Sequence, residues 1–206
     1  MIIYDVENFP NPLRVRIAIA EKNALDSVTF KPVDLMNAEH RSAAFLRKNP
    51  FAGVPVLELD DGTYISESPA ITEYIDHHFA GPSLTGETAK ERAVISMMQR
   101  RAETQVLDAI ATYFHHATEG LGPELETYQN SDWGQKQHAR AIAGLAYFDS
   151  VLAEQSYVAG EAFTVADITL WCGLVFGGFC NVGIPTNLAH LQAWHDRVAK
   201  RPSIAA

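Results

Sequence analysis

Residues 54–76 read VPVLELDDGTYISESPAITEYID, and inside this stretch the hydrophobic period changes from that of a strand to that of a helix. VPVLEL and TYIS flank Asp60-Asp61-Gly62, and Asp-Gly between two apolar runs is a hairpin signal, so the two segments are expected to be antiparallel neighbours. Ser68-Pro69 then has the form of a helix entry, with Ser68 as N-cap, Pro69 as first helical residue, and Ile71, Tyr74 and Ile75 facing a core. Pro55 has no N–H for a ladder, so it marks a turn or the first residue of its strand; the dipeptide Val54-Pro55 alone leaves a cis bond open.

Upstream, MIIY and VTFKPV read as short strands and PLRVRIAIAEK as a helix, which gives the order β-α-β-α-β-β-α for the first 80 residues. After Gly81-Pro82 strand signals stop. Apolar residues recur at helical spacing through Ile95, Met98, Ala102, Val106, Ile110 and Tyr113, then through Ile142, Leu145 and Leu152, with Asp149 interrupting the second set. Glu119–Pro123 and Ser156–Phe163 read as interhelical loops. An α/β domain over 1–80 and an all-helical domain over 87–206 are therefore expected.

Of the 206 residues, 47% are hydrophobic and 20% charged, which suits folded domains and excludes disorder, collagen and coiled coil. The net charge of −9 has the wrong sign for a nucleic-acid or anionic-membrane binder. Seven basic against twelve acidic residues in 1–80, and nine against thirteen in the remainder, make both parts acidic. Cys172 and Cys180 are too few for a disulfide framework and lack metal-ligand spacing, so no metal is expected. The opening MIIYDVENF has no basic flank or long apolar core, so a cytoplasmic protein is expected. The apolar run Ile168–Ile184 falls short of a bilayer span and carries glycines, which points to a buried helix.

Two places can carry chemistry. Asn11-Pro12 follows the first strand closely, with Asn11 as N-cap and Pro12 as first helical residue; such a terminus offers free N–H groups and partial positive charge to an anion or a thiolate. Glu67-Ser68 puts a carboxylate and a hydroxyl at a second helix start, a pairing able to hold an ammonium and a carboxylate of one amino-acid head group.

A βαβ unit, Val-Pro, a hairpin, Glu-Ser at a helix start and an all-helical second half together resemble the cytosolic glutathione transferases over essentially the whole chain. GEAFTVADITL, with Thr164 and Asp167 at capping-box spacing, is a second mark, read as a folding element. The resemblance implies a thioredoxin-like first domain, glutathione as co-substrate with no other cofactor, a small electrophile as second substrate, and a homodimer. It implies that Val54 pairs through its backbone with the cysteinyl part of glutathione, that Pro55 is a cis-proline, that Glu67 and Ser68 hold the γ-glutamyl head, and that His40 reaches the glycyl carboxylate. Where relatives often have Lys or Gln before Val-Pro, this chain has Gly53; Arg14, Arg16, Arg41 and Lys48 are the cations available to compensate.

The usual Tyr, Ser or Cys at the end of strand one is missing, because the sequence there is Glu7-Asn8-Phe9-Pro10-Asn11-Pro12. The pattern resembles an atypical microbial branch in which the first helix terminus and a polar group or water from the helical domain activate the thiol. The candidates are Asn11, Tyr4, His115 and His116, with His115 favoured over His116. Tyr113, Phe114, Trp171 and Phe176 are the candidate aromatics for the electrophile. The expected activity is conjugation of glutathione; the alternatives are a non-catalytic glutathione binder, or a glutathione-dependent isomerase, peroxidase or dehalogenase.

Overall fold

The hairpin forms where Asp-Gly signals it. β3 (Val56–Glu58) and β4 (Tyr64–Ser66) pair antiparallel, with Val56 opposite Ser66 and Glu58 opposite Tyr64. Gly62 takes φ 85, and the Asp61 carboxylate accepts the Thr63 N–H at 2.9 Å, so the turn uses the glycine and the aspartate its sequence supplies. β1 (Ile2–Asp5) lies antiparallel to β3 and parallel to β2 (Thr29–Pro32), giving a four-stranded mixed sheet in the order β2-β1-β3-β4.

The computed structural model describes residues 1–205, and these divide into a unit of Met1–Thr85 and a unit of Gly86–Ala205. The first holds the sheet with α1 (Pro10–Glu21), the short α2 (Ala43–Leu46) and α3 (Ser68–His78), so the order β-α-β-α-β-β-α of a thioredoxin-like fold is present. Strand alternation sorts its residues. Ile3 and Leu57 are partners and fully buried, while their neighbours Tyr4 and Val56 turn to the other face and pack with Val33 and Phe45. α1 and α3 pack together, and Val15, Ile19, Ile71 and Ile75 complete the core, each worth about 1.5–3 kcal/mol in buried apolar surface.

Both helix starts lie one residue or more ahead of expectation. The N-cap of α1 is Phe9, not Asn11, because the Phe9 N–H closes a turn onto Val6 O and the chain enters the helix at Pro10. The N-cap of α3 is Glu67, not Ser68: β4 ends at Ser66, and Glu67 at φ 68 turns the chain straight into the helix.

The second unit is helical. α4 (Ala89–Ala102) runs through a π-helical turn, Glu103–Leu107, into α5 (Asp108–Ala117); α6 (Ser131–Leu152), α7 (Val165–Phe179), α8 (Ala189–Val198) and α9 (Pro202–Ala205) follow. Glycines admit the widened π turn: a Cβ on Gly144 would stand 2.7 Å from Gln105 O, and one on Gly173 3.1 Å from Val106 Cγ1. α7 is buried from Val165 through Leu174 and again at Gly177, and it starts with the expected capping box of Thr164 and Asp167. The Asp167 carboxylate also accepts from Val158 N and from the Trp194 indole, each at 2.9 Å. Asp149, which breaks the apolar pattern of α6, accepts the Leu191 N–H at 2.9 Å and so caps α8, whose own N-cap residue is a leucine. Among the described residues no helix is long and apolar enough to cross a membrane.

Candidate functional site

Sheet register brings three of the singled-out segments to one end of the first unit. β1 ends at Asp5 and feeds α1; β3, antiparallel to it, begins at Val56, directly after Val54-Pro55; and β4 ends at Ser66, directly before Glu67-Ser68. A hydrogen bond closes the arrangement, with Ser68 Oγ donating to Asn11 O at 3.1 Å. The starts of α1 and α3 are thereby fastened side by side. The Val54-Pro55 peptide is cis, as the resemblance implied.

The donors offered here follow from the caps. Neither α1 nor α3 has a side-chain N-cap bond, so the amides of each first turn have no partner within the helix. In α1, Pro10 and Pro12 have no N–H and Leu13 donates to Phe9 O, which leaves the Asn11 amide as the first-turn donor. In α3, Pro69 likewise has none and Ile71 donates to Glu67 O, which leaves the amides of Ser68 and Ala70. Glu67 is exposed and Ser68 buried, so the carboxylate stands outside the helix whose dipole its neighbours extend.

His40 lies on the 3-10 turn Glu39–Arg41, and its Nδ1 is buried with no hydrogen-bond partner among the described residues. Burial, with the Arg41 charge beside it, holds its pKa below the usual 6.5, so it acts at neutral pH as an uncharged imidazole. Most of the compensating cations are already engaged. Arg16 clamps Asp5 at 2.7 and 3.2 Å and lies over Phe30; Lys48 reaches the Tyr64 hydroxyl at 3.2 Å and lies over the Tyr4 and Tyr64 rings; buried Arg14 donates to Asn11 Oδ1 at 3.0 Å. Arg41 is the exposed one beside His40. Sequence reasoning passed over Asn49, which is buried, donates to Gly53 O at 2.9 Å and accepts from Phe51 N, shaping the turn that presents Val54; the Asn49-Pro50 dipeptide was its signal.

Tyr4 is corrected. Its hydroxyl donates to Glu58 Oε2 at 2.6 Å, and burial, then Glu58, raise its pKa above 10.0, so it is a strand residue whose proton is committed to a carboxylate.

In the second unit, His115 Nδ1 lies 2.6 Å from Glu126 Oε1, and His116 Nδ1 accepts the Asn130 N–H at 3.1 Å. Of the four aromatics, the structure brings Phe114 and Phe176 together, with ring centroids 5.3 Å apart, and adds Phe179, which is 72% exposed. Phe179 follows Phe176 at i+3, a spacing that could have found it. Tyr113 packs instead on His138 and Trp171 stacks on His195, so these two turn to other neighbours.

The model of the glutathione S-transferase N-terminal domain matches residues 1–77, and that of the glutathione S-transferase C-terminal domain residues 125–206. The chain belongs to the glutathione S-transferase family. Glutathione S-transferase 2 of Saccharomyces cerevisiae is 52% identical over 204 residues, 99% of this chain and 88% of the yeast one. The crystal structure of Gtt2 from the same yeast, also 52% identical, superimposes with a TM-score of 0.97, covering 100% of this chain and 99% of that one. A glutathione S-transferase domain-containing protein of Marinobacter aquaeolei VT8 is 61% identical with a TM-score of 0.98, covering 99% and 100%. The protein is thus a glutathione transferase, with glutathione as its substrate, and its Gtt2-like relatives agree with the atypical microbial branch that the missing Tyr, Ser or Cys suggested.

Proposed function

We propose that this transferase seats glutathione across the sheet end where α1, β3 and α3 converge, and lowers its thiol pKa without a Tyr, Ser or Cys. The observation that carries the reading is the meeting of cis Val54-Pro55, Glu67-Ser68 and the Asn11 amide on neighbouring elements, tied by the Ser68–Asn11 bond. In this assignment Glu67 takes the ammonium, and Ser68 with the α3 terminus takes the carboxylate, of the γ-glutamyl head. The Val54 backbone pairs with the cysteinyl residue, and His40 with Arg41 serves the glycyl carboxylate. A protein of net charge −9 holds an anionic tripeptide through these local dipoles against its global field.

Moving the thiol from pKa ~8.5 to near ~6.5 requires about 2.7 kcal/mol. A partly buried helix terminus supplies up to ~2 kcal/mol and a charge-assisted hydrogen bond ~1.5–3. The α1 terminus with the Asn11 amide, plus one further donor or base, is sufficient. His115 is assigned that second role ahead of His116, whose Nδ1 lone pair is occupied by Asn130 N–H. The thiolate then attacks a small hydrophobic electrophile held by Phe114, Phe176 and Phe179. The working form is a cytoplasmic homodimer, on family grounds.

Steady-state conjugation of a chlorinated nitroarene, beside glutathione binding by calorimetry, tests the reading. Turnover together with binding is expected; tight binding without turnover of any electrophile in a panel contradicts it. His115→Ala is expected to raise the thiol midpoint of bound glutathione.

A further inference from the structure

Between the end of α6 and one face of α8, the second unit holds a cleft of about 420 Å³, a size that suits a small molecule. Its α8 wall is His190, Ala193 and Arg197, which follow at i, i+3 and i+7 and so share one side of the helix. Ala193 leaves room between the two longer side chains. Opposite run the last residues of α6 and the loop after it, through Glu154 and Ser156, with Glu161.

The loop is braced from within. Gln155 Nε2 donates to Tyr157 O and Val158 O at 2.7 and 2.9 Å, Tyr157 and Gly160 exchange both backbone hydrogen bonds, and the Asp167 carboxylate accepts the Val158 N–H. On this support Ser156 carries two opposite charges. Its carbonyl accepts from the Arg197 guanidinium, which also lies over the Tyr157 ring at 5.3 Å, and its hydroxyl donates to Glu161 Oε2 at 2.6 Å. Arg197 and Glu161 are thus anchored on one residue, yet they pair neither with each other nor with any other charged group among the described residues.

Opposite charges held apart on fixed supports suit a molecule that carries both charges itself, because little ordering remains to be done on binding. The α6 helix sets which side takes the cation. It ends at Leu152 with no basic residue in its last turn, so the negative end of its dipole, with Glu154 beside it, adds to Glu161. A lone anion would meet Glu154 and Glu161, and a lone cation would meet Arg197. A zwitterion answers both, and the Arg197 fork matches a carboxylate.

We propose that this cleft binds free amino acids by their α-ammonium and α-carboxylate groups. Glu161 and Glu154, with the α6 terminus, take the ammonium, and Arg197 takes the carboxylate. The ligand side chain runs along Ala193 toward His190, which favours one that both donates and accepts, as an amide does. None of these residues serves in the assignment of glutathione.

Proton–nitrogen NMR of the whole protein titrated with L-glutamine tests the proposal. Saturable shifts are expected at the amides of Gln155, Ser156 and Glu161 and at Arg197 Nε–H, and they are expected to persist in Glu67→Gly, which removes the head-group carboxylate of the first unit. Arg197→Gln and Glu161→Gln are each expected to weaken binding about 10- to 100-fold, the loss of one charge-assisted hydrogen bond. On the unaltered protein, acetate and methylammonium, each with one of the two charges, are expected to bind at least about tenfold more weakly than L-glutamine; this comparison needs no variant to fold. Absence of a saturable shift, undiminished binding in either variant, or acetate alone binding as well as L-glutamine overturns the proposal. So do shifts that vanish in Glu67→Gly, which would put the amino acid in the head-group site.

Discussion

Glu67 stands at φ 68 and ψ 115, a conformation that a residue with a Cβ keeps only where its surroundings hold it. That makes Glu67→Gly a cleaner probe than Glu67→Ala, because glycine removes the carboxylate without adding strain. Losing a charge-assisted bond of about 1.5–3 kcal/mol should raise KM for glutathione about 10- to 100-fold. The melting temperature should not fall; an unchanged KM would place the head group elsewhere. At this scale the sequence was most informative where chemistry and local grammar coincide, as in Val54-Pro55 and Glu67-Ser68. It misplaced the caps because Asn and Ser are good N-caps in general, whereas the turn at Val6–Phe9 and the end of β4 decide where these two helices begin. Partners distant in sequence were beyond it. Tyr4 meets Glu58 only through the β1–β3 pairing, and His115 meets Glu126 only through the fold of loop 118–130.

Among the elements, α7 shows why its glycine-rich stretch WCGLVFGGFC could not be oriented from sequence. Its glycines do unlike things: Gly173 admits Val106 of the π turn, Gly177 faces Val182 O at 2.7 Å from a built Cβ, and Gly178 faces open space. On α6, Gly144 sits against the Gln105 backbone, which cannot give way as a side chain tip can. Gly144→Ala is expected to cost about 1–3 kcal/mol in urea denaturation, while Gly178→Ala gains up to ~1 kcal/mol from helix propensity. Equal effects at the two sites would contradict this account of α6 against the π turn. The capping box was legible because its spacing is local, but its weight was not. Asp167 also receives Val158 and Trp194, 27 residues away, so Asp167→Ala should cost more than about 3 kcal/mol.

For the molecule as a whole, hydrophobic period together with the turn signals at Asp61-Gly62 and Gly81-Pro82 made the order of elements and the change from an α/β part to a helical part readable, whereas the four-residue α2 is too short to show a period of its own. What fixes the chain after α3 was not readable. Lys22 and Asp76, both buried, pair at 2.6 Å; Asp76 also accepts from Leu84 N, Thr85 N and Thr85 Oγ1, and Lys22 donates to Pro82 O. Burial alone would raise the Asp76 carboxyl, but Lys22 and Thr85 hold it below 3.8. A depressed carboxyl contributes stability that is present above its unfolded pKa and lost as pH falls through the folded one. Urea denaturation should thus show wild-type stability falling below about pH 4 more steeply than that of Asp76→Asn. The variant should already be about 3–5 kcal/mol weaker at neutral pH, where Lys22 stays buried without its carboxylate; parallel pH profiles would contradict the assignment.

The proposed function turns on ionisation of glutathione at the α1 terminus and its Asn11 amide, in place of a side-chain hydroxyl or thiol. Thiolate absorbance of bound glutathione against pH tests it most directly. The expected midpoint lies roughly two units below the free thiol's ~8.5 and does not move in Tyr4→Phe. A midpoint at the free value, or one that Tyr4→Phe restores to it, would contradict the account.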